Sequence, residues 1–272
     1  MKWMIRVDME GLTGVVNMDQ VAPGAPYYPF GLKMLKHDLQ SVLDGLLADD
    51  GDEVWLYDIH FFGTNVDFDG LDPRVTAICG KPHYTTENMA FLKGGFDGMI
   101  LLGLHAMADK PGSLLNHSYE HDIRSIVVRD RTGKTFRVGE IGLETLIAGE
   151  AGVPLAMVTA DSDGCLETKE LTADAVTVNV KESLGDTAAA CYPPSITGRW
   201  LREGAAACRA NAGKFRPVAA EGPVEIEMAF KTGELLCKLK SRIPDAFAAD
   251  DRIILQGKSV IEAWHQYLVA KS

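Results

Sequence analysis

The 272-residue sequence predicts an α/β fold: a layered α/β/α sheet domain over residues 1–165, then a smaller α+β subdomain over 166–272. Three observations predict it. Short apolar runs alternate with segments of helical period, the pattern of a sheet covered by helices. Four of those runs end in polar residues: Asp8 and Glu10, Asp58 and His60, His105, and Asp161. Ligand sites of open α/β sheets lie beyond the carboxyl ends of their strands, where such residues would collect. Past about residue 165 the spacing of elements changes and candidate catalytic side chains become few. That half is expected to bury surface, wall the pocket or mediate assembly.

In order, residues 2–7 read as a buried strand. In the segment 26–52, Leu32, Leu35, Leu39, Val42, Leu43 and Leu46 recur at helical spacing and Gly51 closes the run. A second strand is expected over 53–60, a helix over 86–95 and a third strand over 98–105. Residues 123–138 read as a hairpin turning near Thr132-Gly133. A helix is expected over 139–152, ended by Gly152, and a strand over 154–161. The second half gives a short strand at 175–180, a helix over 194–214 and an alternating strand at 223–230. A strand at 251–257 should pair near it, before a terminal helix over 259–271.

Bulk properties exclude several function classes. The chain is 46% hydrophobic and 24% charged, with a formal charge of −11. That balance argues against a broad nucleic-acid surface and against anionic membranes, and suits small substrates or metal cations. No apolar run approaches the ~18–20 residues of a membrane span, and the opening residues lack a signal-peptide pattern. The expected location is cytoplasmic. Five cysteines at wide spacings, without a CxxC, point to reduced and mostly buried thiols rather than a disulfide framework or zinc knuckle.

The stretch "VDMEG" carries the chemistry. Along a strand, residues i and i+2 share a face, so Asp8 and Glu10 point the same way and repel each other unless something compensates. Asp58 and His60 repeat the device, His105 ends a third strand, and Glu140 opens a helix whose dipole stabilises it. Taken singly, each has a structural reading: a strand-end cap, a solvated acid, a satisfied histidine, decoration of a helix start. Their accumulation at successive strand ends is what points to a metal site.

Asp8, Glu10, His60, His105 and Glu140 form a mixed oxygen and nitrogen donor set suited to zinc, with manganese or cobalt also compatible. Five donors exceed one tetrahedral ion and suit two, with Asp8 as the bridge. Glu10 and His105 are then expected on one ion, and His60 and Glu140 on the other. Asp58 is expected to orient a histidine. In the loop 110–122, His117 is the candidate base, acid or nucleophile. Asn116 and Ser118 beside it could bond a substrate, whereas His121 reads as solvent-facing and His83 is undecided. Asp161 is a further candidate near the substrate. No HExxH, GxSxG or phosphate-loop motif occurs.

Together, "VDMEGLTGV" (7–15), "YDIH" (57–60), "LGLHAMADKPGSLLNHS" (102–118) and "VGEIGLETLIAGEAGVPLAMVTAD" (138–161) resemble the zinc-dependent D-aminopeptidase family. The resemblance is strong over 1–165, weaker beyond, and poor over 61–95. It implies an α/β domain with a smaller α+β domain and a dinuclear zinc centre on Asp8, Glu10, His60, His105 and Glu140. It places a catalytic histidine, described as a nucleophile, at His117. It also implies hydrolysis of short peptides with an N-terminal D-residue, by a homodecamer enclosing a channel. The expected function is therefore a di-zinc aminopeptidase or amidohydrolase acting on a small peptide or aminoacyl substrate, as a homo-oligomer. The alternatives are a metal-dependent phosphoesterase and a non-catalytic binding protein with a structural metal.

Overall fold

A computed structural model describes residues 1–81 and 94–272. The expected helix over 86–95, apart from Gly94 and Gly95, and His83 lie outside the described residues. The first sheet contains β1 (Lys2–Val7), β2 (Glu53–Asp58), β3 (Val75–Ile78), β4 (Gly98–Leu104), β7 (Leu155–Asp161), β8 (Val176–Ser183) and β9 (Ala189–Cys191). Its order is β3-β2-β1-β4-β7-β8-β9, parallel except for β9. The chain leaves β1 toward β2 and β3, then returns to β4 on the other side of β1. That reversal makes a switch point, and a crevice, at the carboxyl ends of β1, β2 and β4.

Side-chain alternation divides β1 between two cores. Trp3, Ile5 and Val7 face α1 (Tyr28–Leu46) and α4 (Pro194–Ala210), packing among Leu35, Leu39, Val42, Leu43 and Leu201. Met4, with Met99 and Leu101 of β4, belongs to the opposite core. That core includes Leu143 and Ile147 of α2 (Glu140–Glu150) and Trp264 of α6 (Val260–Lys271). It continues into a second, antiparallel sheet of order β11-β12-β10-β5-β6. Here β5 (Ile123–Arg129) and β6 (Thr135–Val138) form the expected hairpin, and β12 (Arg252–Gly257) pairs with β10 (Val224–Phe230). β11 (Phe247–Ala249) is the far edge, and α5 (Glu234–Arg242) follows β10.

Residue 165 lies inside α3 (Ser162–Leu171), and each sheet draws strands from both sides of it. β3, α3, β9, α5 and β11 are elements the sequence reading did not contain. The cysteine expectation is corrected. All five thiols are free, but only Cys165 and Cys208 are buried, while Cys79, Cys191 and Cys237 are exposed. Among the described residues, no helix is long and apolar enough to cross a membrane.

Candidate metal centre

The β1 end is held by its own backbone. The Asp8 N–H donates to Leu102 O at 2.8 Å and the Gly11 N–H to Gly103 O at 2.7 Å, clamping the ligand-bearing turn onto β4. Residue 11 must be glycine: a Cβ there would stand 1.7 Å from Leu104 O. From β8, the fully buried Lys181 sends its Nζ to the carbonyls of Glu10 (2.6 Å), Leu12 (2.9 Å) and Val15 (2.5 Å). The turn that carries Asp8 and Glu10 is thus tied to both β4 and β8.

Beyond β2, Asp58 accepts from the His60 N–H (3.2 Å) and from the N–H (2.6 Å) and side-chain amide of Asn65. The Asn65 amide also donates to His60 O at 2.9 Å. Asp58 therefore holds the His60 loop through its backbone rather than orienting the imidazole. His105 follows β4 and directs Nδ1 to Ala106 O at 3.0 Å, which leaves Nε2 to face the crevice. Glu140 is the first residue of α2, and its Oε1 accepts from the Tyr119 N–H at 2.7 Å. One turn on, Glu144 forms a fully buried ion pair with Arg6 and accepts from the Tyr119 hydroxyl at 3.1 Å, locking α2 against β1.

These residues meet. His60 Nε2 lies 3.4 Å from Glu10 Oε1, and His105 Nε2 lies 3.5 Å from Asp8 Oδ2 and 3.4 Å from Glu140 Oε1. Ligand atoms of Asp8, Glu10 and His105 fall within 4.8 Å of one another, as do those of His105, His117 and Glu140. Asp8, Glu10 and His105 are the set expected on one ion; His60 lies against Glu10, and Glu140 against His105. Asp8 Oδ2, Glu10 Oε2, both His60 nitrogens and His105 Nε2 are buried without a hydrogen-bond partner among the described residues. Buried polar atoms left without partners are costly, and a donor set of carboxylates and imidazoles fits divalent cations.

The electrostatics show the same strain. Burial, with Glu10 and Glu140 nearby, raises the Asp8 pKa well above the carboxylate range. Burial opposes ionisation of Glu10 too, but His60 outweighs it and the pKa falls well below normal. Glu140 likewise overcomes burial through the close approach of His105, and its pKa drops to about 2. Burial disfavours the charged form of His105, yet the adjacent Glu140 carboxylate raises its pKa well above normal.

His117 is positioned for chemistry. Its ring stacks between His105 (centroids 4.2 Å) and His121 (4.5 Å), with Nδ1 against Leu115 O at 2.9 Å. Leu115 holds φ at 50°, a left-handed conformation at the turn that aims this loop. Since the carbonyl only accepts, Nδ1 carries the proton, and the unprotonated Nε2 lies 3.7 Å from Glu140 Oε1. Burial, helped by His105, lowers the His117 pKa and keeps the ring neutral.

Other expected residues sit differently. The Asn116 amide is committed to the carbonyls of Met107, Ala108 and Lys110, and the Ser118 hydroxyl accepts from the Ala108 N–H, so both shape the loop. Asp161 caps α3, accepting from the Asp163 and Gly164 N–H groups. His121 is exposed, as its solvent-facing reading has it, and its ring also lines the pocket and stacks on His117.

In front of the centre opens a pocket of about 370 Å³. Besides the residues above, Phe61, Phe62, Lys81, Trp264, Leu268 and Lys271 line it. Sequence reasoning missed these and Lys181. The amphipathic period of the terminal helix marks a buried face but not what that face abuts. A lysine inside the apolar-alternating run of β8 was the one legible signal.

Comparison with known proteins adds three findings. A family model described as D-aminopeptidase matches residues 1–269. A D-aminopeptidase of Bacillus subtilis (strain 168) is 31% identical over 220 residues, covering 80% of this chain and 77% of its own. The structure of the Zn-dependent D-aminopeptidase DppA from Bacillus subtilis, described as a self-compartmentalizing protease, matches with a TM-score of 0.87 at 26% identity. That match covers 99% of this chain and 96% of the other.

Proposed function

The chain belongs to the D-aminopeptidase family, and from that membership we propose a di-zinc enzyme that removes N-terminal D-residues from short peptides or aminoacyl amides. Its class is that of a metal-dependent aminopeptidase, a hydrolase of peptide and amide bonds. The observation that carries the reading is the set of unpartnered buried donors at the ends of β1, β2 and β4.

In this reading Glu10 and His105 would hold one ion and His60 and Glu140 the other, with Asp8 shared between them. Bound there, the ions polarise the scissile carbonyl and lower the pKa of water toward ~7. The chain does the rest. Lys181 and the Gly11 turn keep Asp8 and Glu10 in place. The His105 Nδ1–H bond holds its Nε2 toward the carboxylates. His117, neutral and presenting Nε2, takes a proton from the attacking group and returns it to the leaving amine. Trp264 and Leu268 of α6 give the pocket an apolar wall. The related structure's self-compartmentalizing character supports assembly as a homo-oligomer, with a decamer as the expected order. A cytoplasmic location completes the proposal, as do manganese or cobalt as substitutes for zinc.

A phosphoesterase and a purely structural metal site are not favoured by the family findings. The test is hydrolysis of paired D- and L-aminoacyl amides by zinc-loaded protein, with and without a chelator. Chelator-sensitive turnover of the D-series is expected. Turnover confined to phosphoryl substrates, or none, would overturn the reading.

A further inference from the structure

The pocket has an aromatic wall that metal chemistry does not require. Phe61 and Phe62 follow His60 directly and line the same cavity as Asp8, Glu10 and His60, yet they are 45% and 65% exposed. Two adjacent phenyl groups facing water forgo the burial that ordinarily places such side chains in a core.

Their loop is firmly built. Asp58 and Asn65 bridge its ends as described, and the Tyr28 hydroxyl bonds Asn65 Oδ1 at 2.5 Å. The Gly63 N–H donates to His60 O at 2.9 Å, and the Gly80 N–H to Gly63 O at 2.8 Å. A Cβ at residue 63 would stand 2.3 Å from Gly80 O, so the loop is packed close against the segment after β3. Phe61 holds φ at 45°, a conformation a bulky residue adopts only when its surroundings impose it, and one that clusters at functional sites. Its ring meets His60 edge-on at 4.8 Å between centroids, and the Phe62 ring follows at 6.2 Å. Met18, Trp264 and Leu268 supply further apolar lining.

We propose that this wall receives the side chain of the substrate's N-terminal residue and selects large apolar, above all aromatic, side chains, with Phe62 as the specificity-determining residue. The proposal rests on the aminopeptidase reading. In an aminoacyl substrate the side chain nearest the reacting carbonyl belongs to the N-terminal residue, so it is the group within reach of a wall that starts one residue after His60. A ring seated there removes its own apolar surface and that of Phe62 from water, and aromatic pairs add to that gain. The wall is continuous with the cavity that holds the metal donors, which favours a substrate group over a second copy of the chain as its occupant.

The experiment measures kcat/KM of the zinc-loaded protein for phenylalanyl, leucyl and alanyl amides of matching configuration, in wild type, Phe62→Ala and Phe62→Leu. The wild type should prefer phenylalanyl over alanyl amide by about tenfold or more, the scale set by an apolar pocket. Phe62→Ala should lower that ratio at least about fivefold, and Phe62→Leu should restore part of it. A wild-type ratio near or below one, or a ratio indifferent to Phe62→Ala, overturns the proposal. So does a change of solution mass in Phe62→Ala with the ratio intact, which would make the wall a contact between copies. If no aminoacyl amide turns over, the aminopeptidase reading fails. Calorimetry with free phenylalanine and alanine then decides the wall's role: tighter phenylalanine binding, lost in Phe62→Ala, supports it, and equal binding overturns it.

Discussion

Glu10 and His60 illustrate how little a single residue says. Each alone is an acid or an imidazole at a strand end, but in the fold they stand 3.4 Å apart, buried, each with polar atoms that nothing among the described residues satisfies. The donor set was legible because metal chemistry restricts residue type and strand periodicity fixes facing. The partners of each donor were not, because they depend on which strand ends adjoin across the sheet. Lys181, Trp264 and Lys271 were hidden for the same reason: their work is done on segments distant in the chain. The site makes a direct claim about single residues. Replacing His60 or Glu140 by Ala should cut metal-dependent aminoacyl-amide hydrolysis by at least about 100-fold, since even outer partners of a metal ligand cost 10–100-fold. Circular dichroism should show the fold kept. Turnover near that of the wild type in either variant would remove that residue from the centre.

Among elements, those with a strong period were read within a few residues: β1, α1, β2, β4, the β5–β6 hairpin, α2, β7, α4, β10, β12 and α6. Those missed are short or polar. α3 carries "SDG" at its start, residues common in turns, yet Asp161 caps the helix there through two backbone N–H groups. β9 and β11 are three residues each, too brief for alternation to register. The glycine after Glu10 reads in the sequence as a loop residue. In the structure it lets the turn after β1 lie directly on the end of β4. A methyl group there has no space, and the clash is with backbone rather than a movable side chain. Gly11→Ala is therefore expected to lower stability by about 3 kcal/mol or more. For a chain of this size that is a fall of roughly 6–12 °C in Tm. It should also weaken zinc binding in calorimetry. Wild-type Tm and affinity would mean the turn is looser than the contacts imply.

Over the whole molecule, the parallel sheet was predictable and its partner was not. A chain-order reading groups neighbours in sequence, but the second sheet takes its β5–β6 hairpin from the middle of the chain and β10 to β12 from its end. That interleaving lets α6 wall a pocket whose metal donors come from the other half. The pH dependence of global stability offers one check on this packing. Glu167 of α3 is buried, accepts from the Met107 N–H at 2.8 Å, and has its pKa pushed up to about 7 by burial. A raised acid favours folding fully below its ordinary value near 4.5, and that advantage is lost as pH rises through the folded value. Glu167→Gln keeps the acceptor and removes the titration. Its stability relative to wild type, measured by urea unfolding, should thus climb between about pH 4.5 and 7, by up to ~3 kcal/mol. A difference constant with pH would contradict the burial. Donors from three strand ends and one helix start converge, and the proposed function requires them to hold a pair of divalent ions. Elemental analysis of the purified, zinc-equilibrated protein tests it most directly. Two zinc ions per chain are predicted, falling in His105→Ala; a wild-type chain that retains no zinc would contradict the account.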